Sequence, residues 1–248
     1  SDEYAASRRH LISPSRALTY PEPGDPLSFG TSTFGAPANV PHQGPVFPEE
    51  TVDEGTDSFS VMDSWGNIIA MTPTHGGGFG TGVIVGNTGF LSNNGLRLGS
   101  TSPYPDNVNY VRGGQIPILN NSPSIVLKDG EFLFSLGTPG GETIGQTQLQ
   151  VMVNLLDFGM DIQEAIEAPR FNLSADPNFY RPGSPIQMNL ENRVRAETVA
   201  ALRAMGHDVR LTAGYAGGNM QGIFRDPVTR TFRAGADPRN LGYAIGWQ

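Results

Sequence analysis

The chain has 248 residues, of which 38% are hydrophobic and 16% charged, with 32 glycines, 20 prolines and no cysteine. This mix excludes a collagen-like chain, removes disulfide, thiol and cysteine-metal chemistry, and supplies enough sequence for one large core or two modest ones. The formal net charge of −8 argues against nucleic acid or an anionic membrane surface as a partner of the whole chain, and no eighteen-residue apolar run predicts a membrane span.

Residues 1–11 are polar, carry two adjacent arginines and do not read as a signal peptide; the compartment, cytoplasm or periplasm, stays open. Residues 3–12 predict a short helix. Residues 13–55 hold many prolines and glycines, show little periodicity and end in the acidic stretch PEETVDEG, which reads as an exposed connector or a segment lying over a partner. From Thr56 onward the pattern changes. Ser58, Ser60 and Met62 alternate with Phe59, Val61 and Asp63, a turn follows at Ser64-Trp65-Gly66-Asn67, and residues 68–72 complete a hairpin. Residues 82–85 and 89–91 predict a second pair around Gly86-Asn87, and 124–127 with 131–136 a third around Lys128-Asp129-Gly130.

Gly137-Thr138-Pro139-Gly140-Gly141 leads into a predicted helix over 144–158, with Leu149, Val153 and Leu156 at helical spacing and Gly159 as its stop. Asp161 and Glu164 have the spacing of a capping box, and Pro169 ends that short helix. A further amphipathic helix is predicted over 190–205, then late strands over 209–211, 218–224 and 230–234. Hairpins, then helices, then hairpins fit antiparallel sheets covered by helices, an α+β arrangement, better than a regular strand–helix alternation.

No metal constellation stands out, because His10, His42, His75 and His207 share no ligand spacing. The glycine-dense run from Gly76 to Gly82 lacks the lysine of a nucleotide loop; it reads as a close backbone approach to a ligand or as a tight bend. Gly140-Gly141 before a helix offers backbone N–H groups to an oxyanion, or is a plain turn.

Several motifs follow one another collinearly: Thr56-Asp57-Ser58-Phe59-Ser60-Val61-Met62-Asp63, Thr72-Pro73-Thr74, Phe79-Gly80-Thr81-Gly82, Leu91-Ser92-Asn93-Asn94, Ser122-Pro123-Ser124-Ile125-Val126, Gly137-Thr138-Pro139-Gly140-Gly141, Ala168-Pro169-Arg170-Phe171 and Gly235-Ala236-Asp237-Pro238-Arg239. Together they make residues 56–237, about three quarters of the chain, resemble the small catalytic subunit of the gamma-glutamyltransferase family. The resemblance implies an N-terminal-nucleophile αββα sandwich, with two antiparallel sheets between helical layers. It implies self-cleavage at Gly55–Thr56, so that residues 1–55 are the tail of a large subunit and residues 56–248 the catalytic domain. It also implies that the body of the large subunit is missing from this sequence, with a heterodimer or heterotetramer as the assembly. No cofactor or metal is implied.

Threonine is a weak nucleophile without a base, and a free N-terminal amine with a pKa of about 8 can accept its hydroxyl proton. On the family pattern Thr56 is the nucleophile, Thr74 orients it, and Gly140 and Gly141 hold the oxyanion of an amide hydrolase or acyltransferase. The glutamyl-reading positions depart from the pattern. Gly76 replaces an asparagine, Gly95 and Leu98 stand where amine-binding residues are expected, and Leu119-Asn120 replaces a serine pair. The expected substrate is therefore a small amide other than a standard gamma-glutamyl donor, with Arg97 and Arg112 as replacement anion-site candidates and His75 as a pocket-lining candidate. The alternatives are a gamma-glutamyl hydrolase or transpeptidase, and an inactive relative with a binding or structural role. Ser1 is the fallback terminal nucleophile if Thr56 is never freed.

Overall fold

The computed structural model describes residues 2–18, 24, 25, 28, 55–95, 110–114, 116, 119, 121–176 and 183–246. A short helix α1 (Asp2–Arg9) lies where the sequence predicts one, and the Ala17 N–H donates to Met205 O at 2.7 Å. Most of the predicted 13–55 connector lies outside the described residues. No helix among the described residues is long and apolar enough to cross a membrane.

Strands β1 (Phe59–Met62) and β2 (Ile68–Met71) form the first predicted hairpin. Asp63 shapes its turn, accepting hydrogen bonds from the backbone N–H groups of Trp65 and Asn67 through its carboxylate. Strands β3 (Ser124–Lys128) and β4 (Glu131–Gly137) form the later hairpin. Its two-residue turn, Asp129-Gly130, has φ of 53° and 80°, the left-handed pair that matches strand twist and that Asp-Gly tolerates. The predicted pair over 82–85 and 89–91 is reduced to one bridge, Ile84 with Leu91, extended by Val85 N to Phe90 O and Ser92 N to Val83 O.

Two helices follow, α2 (Thr143–Leu156) and α3 (Ile162–Glu167). The capping box forms: Asp161 Oδ1 accepts from Glu164 N at 2.8 Å and Glu164 Oε2 from Asp161 N at 3.1 Å. Strands β5 (Phe171–Ala175) and β6 (Ile186–Glu191), helix α4 (Ala196–Ala204), and strands β7 (Val209–Thr212), β8 (Gln221–Arg225) and β9 (Phe232–Ala236) complete the order. Here the prediction of one helix over 190–205 is corrected. Residues 186–191 are a strand, in which Ile186, Met188 and Leu190 alternate with polar Gln187 and Asn189, and the helix begins at Ala196. The pairing of β6 with β7 is parallel, with α4 as the crossover, an exception to the expected antiparallel sheets.

The main sheet has the order β3-β4-β8-β9. One face of it is covered by α2 and α3. Phe134 and Leu136 of β4 point there, into a core with Val151, Leu155, Ile162, Ala165, Ile166 and Met220. Full burial of each large apolar side chain contributes about 1.5–3 kcal/mol relative to exposure. The opposite face of β4 carries Gly137 against the β1–β2 hairpin, which packs on β4 and β8 without joining their ladder. A smaller core of Met188, Leu190, Val199 and Val209 joins the β5-β6-β7 sheet to α4. The layering is helix, sheet, then hairpin sheet, the α+β architecture expected of the sandwich.

Candidate active site

The register of the first hairpin continues past its strands. Phe59 pairs with Met71, and two steps beyond Ser58 and Thr72 comes an antiparallel bridge between Thr56 and Thr74. Alternation along a strand then puts Thr56, Ser58, Thr72 and Thr74 on one face. The pairs meet through their hydroxyls, at 2.7 Å for Thr56 Oγ1 and Thr74 Oγ1 and 3.2 Å for Ser58 Oγ and Thr72 Oγ1. That face looks toward β4, because a Cβ built on Gly137 would overlap Ser58 Oγ. Backbone bonds fix the approach: Asp57 N donates to Pro73 O at 3.1 Å and His75 N to Gly55 O at 2.9 Å.

Thr74 has one hydroxyl proton and two lone pairs. Gly76 N donates to its Oγ1 at 2.8 Å, which occupies one lone pair. Its proton has two acceptors in reach, Thr56 Oγ1 at 2.7 Å and Gly55 O at the weaker distance of 3.4 Å. Donation to Thr56 leaves the Thr56 proton free to be passed to a base.

Residues 75–77 are held by the segment 92–95. Asn94 N donates to His75 O at 2.9 Å, and Asn94 Oδ1 accepts from Gly77 N at 2.9 Å. Gly76 is buried, has φ of 88°, and a Cβ there would overlap Asn94 Oδ1. Gly95 is also buried, and a Cβ on it would lie 3.7 Å from Leu119 Cδ2. The structure therefore brings Gly76 beside Asn94, and Gly95 beside Leu119. His75 and Arg112 are exposed, the latter with its guanidinium 5.6 Å from the Tyr110 ring. Arg97, Leu98 and Asn120 lie outside the described residues.

The Gly140-Gly141 turn begins three residues after Gly137. Its carbonyls are used by the first turn of α2: Gly140 O accepts from Thr143 N at 3.0 Å and from Thr143 Oγ1 at 2.8 Å, and Gly141 O from Ile144 N at 3.2 Å. Both glycines have positive φ, 134° and 55°, and both are exposed. Neither of their N–H groups has an acceptor among the described residues, so two donors stand free at the N-terminus of a fourteen-residue helix. Among the described residues no group of three His, Asp or Glu is placed to hold a metal ion.

The two late motifs meet in a buried ionic cluster that motif matching did not assign a role. Arg170 pairs with Asp237 at 2.5 Å, Arg239 with Asp237 at 3.0 Å and with Glu191 at 2.6 Å, and Arg193 with Glu191 at 2.6 Å. Arg193 also stacks over Tyr215 at 3.7 Å. Burial pulls the Arg170 guanidinium below its usual basicity, opposed by Asp237. Burial alone would raise the Glu191 carboxyl, but hydrogen bonds from Arg239 and Arg193 outweigh it and hold the group below its ordinary value. Asp237 Oδ2 also accepts from Met220 N, and the neighbouring Asn219 N donates to Thr138 Oγ1 at 3.4 Å. The cluster thus reaches the turn that carries Gly140.

Residues 1–247 match the model of the family described as gamma-glutamyltranspeptidase. The chain belongs to this family. It is 30% identical over 246 residues to the glutathione hydrolase proenzyme of Bacillus subtilis, a match covering 98% of the chain and 38% of that relative. The chain therefore spans well under half of that relative's length. Among solved structures it resembles the gamma-glutamyltranspeptidase of Pseudomonas nitroreducens (TM-score 0.61, 27% identity, covering 77% of this chain and 99% of that one). It also resembles a cephalosporin acylase from Bacillus halodurans (TM-score 0.75, 28% identity, covering all of this chain and 39% of that one). As a family member the chain has the N-terminal-nucleophile fold expected from its motifs.

Proposed function

We propose that this chain carries the catalytic centre of an N-terminal-threonine amide hydrolase or acyltransferase, with Thr56 as nucleophile. The observation that carries the reading is the 2.7 Å contact between Thr56 Oγ1 and Thr74 Oγ1, with Thr74 already accepting from Gly76 N. The chain divides at Gly55–Thr56 into residues 1–55, the tail of a large subunit, and residues 56–248, the catalytic part.

The same geometry supports self-cleavage. Thr56 Oγ1 attacks the Gly55 carbonyl carbon, whose oxygen accepts from His75 N at 2.9 Å. The C–N bond breaks as the hydroxyl proton moves to the Thr56 nitrogen, leaving Gly55 esterified to Oγ1. Water hydrolyses the ester and frees the Thr56 amine. That amine then serves as base in turnover: it takes the Oγ1 proton as Oγ1 adds to a substrate amide carbonyl, and returns it to the leaving amine. The N–H groups of Gly140 and Gly141, which have no acceptor among the described residues, stabilise the oxyanion, and water or an acceptor amine releases the acyl group.

For the acyl group we favour a small amide that is not a standard gamma-glutamyl donor. Gly76, Gly95 and Leu119 offer no carboxylate or amide to a substrate ammonium or carboxylate, and Leu98 supports the same reading from sequence. The likeness to a cephalosporin acylase supports it; the likeness to a glutathione hydrolase proenzyme favours the second reading, a gamma-glutamyl donor. The exposed outer face of the hairpin, where Phe59 pairs with Met71 and Val61 with Ile69, supports a partner layer from the large-subunit region.

The full-length precursor provides the test. Intact mass should show two fragments with a new N-terminus at Thr56, and Thr56→Ala should stay uncut and inactive. Loss of a buried charged pair weakens binding by about 2–5 kcal/mol, so kcat/KM for a gamma-glutamyl anilide should fall on the order of 30-fold or more below that for a small neutral amide. Efficient glutamyl transfer would overturn the donor assignment and leave the nucleophile in place.

A further inference from the structure

We infer that Asn94 is a positioning residue for the nucleophile, in self-cleavage and in turnover alike. This rests on Thr56 being the nucleophile, as proposed above. Asn94 grips the three-residue loop 75–77 at both ends: its N–H donates to His75 O and its side-chain Oδ1 accepts from Gly77 N, each at 2.9 Å. Just before and between these anchors the loop presents two backbone donors to the reacting groups. His75 N holds Gly55 O, the oxygen that becomes an oxyanion during cleavage. Gly76 N holds Thr74 Oγ1, which contacts Thr56 Oγ1. Both donors are aimed by one clamp, and the clamp requires a short side chain carrying an acceptor oxygen two bonds beyond Cβ, as Asn94 Oδ1 is.

The clamp also accounts for Gly76. With φ at 88° and a built Cβ overlapping Asn94 Oδ1, a side chain at 76 would be strained and would require the Asn94 amide to shift. The glycine therefore suits this Asn94 arrangement, and it also leaves position 76 without a polar side chain.

Asn94→Ala, Asn94→Asp and Thr56→Ala should be compared in the full-length precursor, with circular dichroism confirming the fold of each. Small misplacements of reacting groups cost up to about 100-fold in rate. Asn94→Ala is therefore expected to slow the appearance of the Thr56 N-terminus, and to lower kcat of the processed enzyme about 10- to 100-fold with KM within about twofold. Asn94→Asp keeps an oxygen for Gly77 N and should recover most of both rates. Wild-type rates in Asn94→Ala, a rise in KM with kcat unchanged, or an Asn94→Asp variant as impaired as Asn94→Ala would each overturn the inference. Cleavage and activity in Thr56→Ala would instead overturn the nucleophile assignment, whatever the Asn94 variants do.

Discussion

Thr74 shows how little chemistry a single side chain needs when its neighbours are fixed. In the proposed mechanism its methyl group contributes nothing to the proton path; its hydroxyl accepts from Gly76 N and faces Thr56 Oγ1. Thr74→Val keeps the shape and removes the hydroxyl, and should lower kcat on the order of 100-fold, the cost of deleting one preorganised catalytic hydrogen bond. Thr74→Ser should retain most activity; steady-state kinetics on the processed enzyme checks both. At this scale Thr56, Thr74, Gly140 and Gly141 were legible as motif positions. The part played by Asn94 was not, because its motif sits 20 residues from Thr74 and only folding brings its amide to Gly77.

At the scale of elements, local chemistry sufficed wherever a turn or cap is self-contained. The Asp129-Gly130 turn and the Asp161–Glu164 box formed as read. Asp161→Ala removes the acceptor for Glu164 N and should destabilise the protein by about 1 kcal/mol, visible as a lower urea midpoint with unchanged slope. Residues 186–191 went the other way. Leu190 and Val194 stand four apart and Val199 and Leu202 three apart, spacings that a helix shares, and the helix expected over 190–205 took in the end of this strand. Pairing of that segment with β5 on one side and β7 on the other converted its first part to strand. Non-local ladders of this kind carry no signature within a short window. The pair expected over 82–85 and 89–91 keeps one bridge, Ile84 with Leu91, and two flanking backbone bonds, with Gly86 and Gly89, both at positive φ, in the turn between them.

Across the whole molecule, the Arg170–Asp237–Arg239–Glu191–Arg193 cluster joins the end of α3, the end of β6 and the segment after β9. Removing one partner of such a buried network leaves an uncompensated charge, so Arg239→Met should cost about 3–5 kcal/mol in chemical denaturation. The pH dependence has a definite sign. Glu191 has a folded pKa below its ordinary value of 4.5, so its contribution is complete above that value and is lost as pH falls through the folded pKa. Stability should therefore decline on acidification below 4.5, and the decline should be shallower in Glu191→Gln, measured by denaturant titration across pH.

By itself the sequence determined the family, the hairpins, the α3 cap and the residues at which acyl chemistry is proposed. These are properties of local turn chemistry or of fixed motif order, and they survive being read one residue at a time. Tertiary structure decided the rest: that Thr56 and Thr74 share a hydroxyl contact, that Asn94 packs its amide against Gly76, and that two late motifs form one buried ionic cluster. Each depends on groups distant in sequence meeting at hydrogen-bonding range, and that proximity is set by strand pairing and burial, which no local pattern encodes.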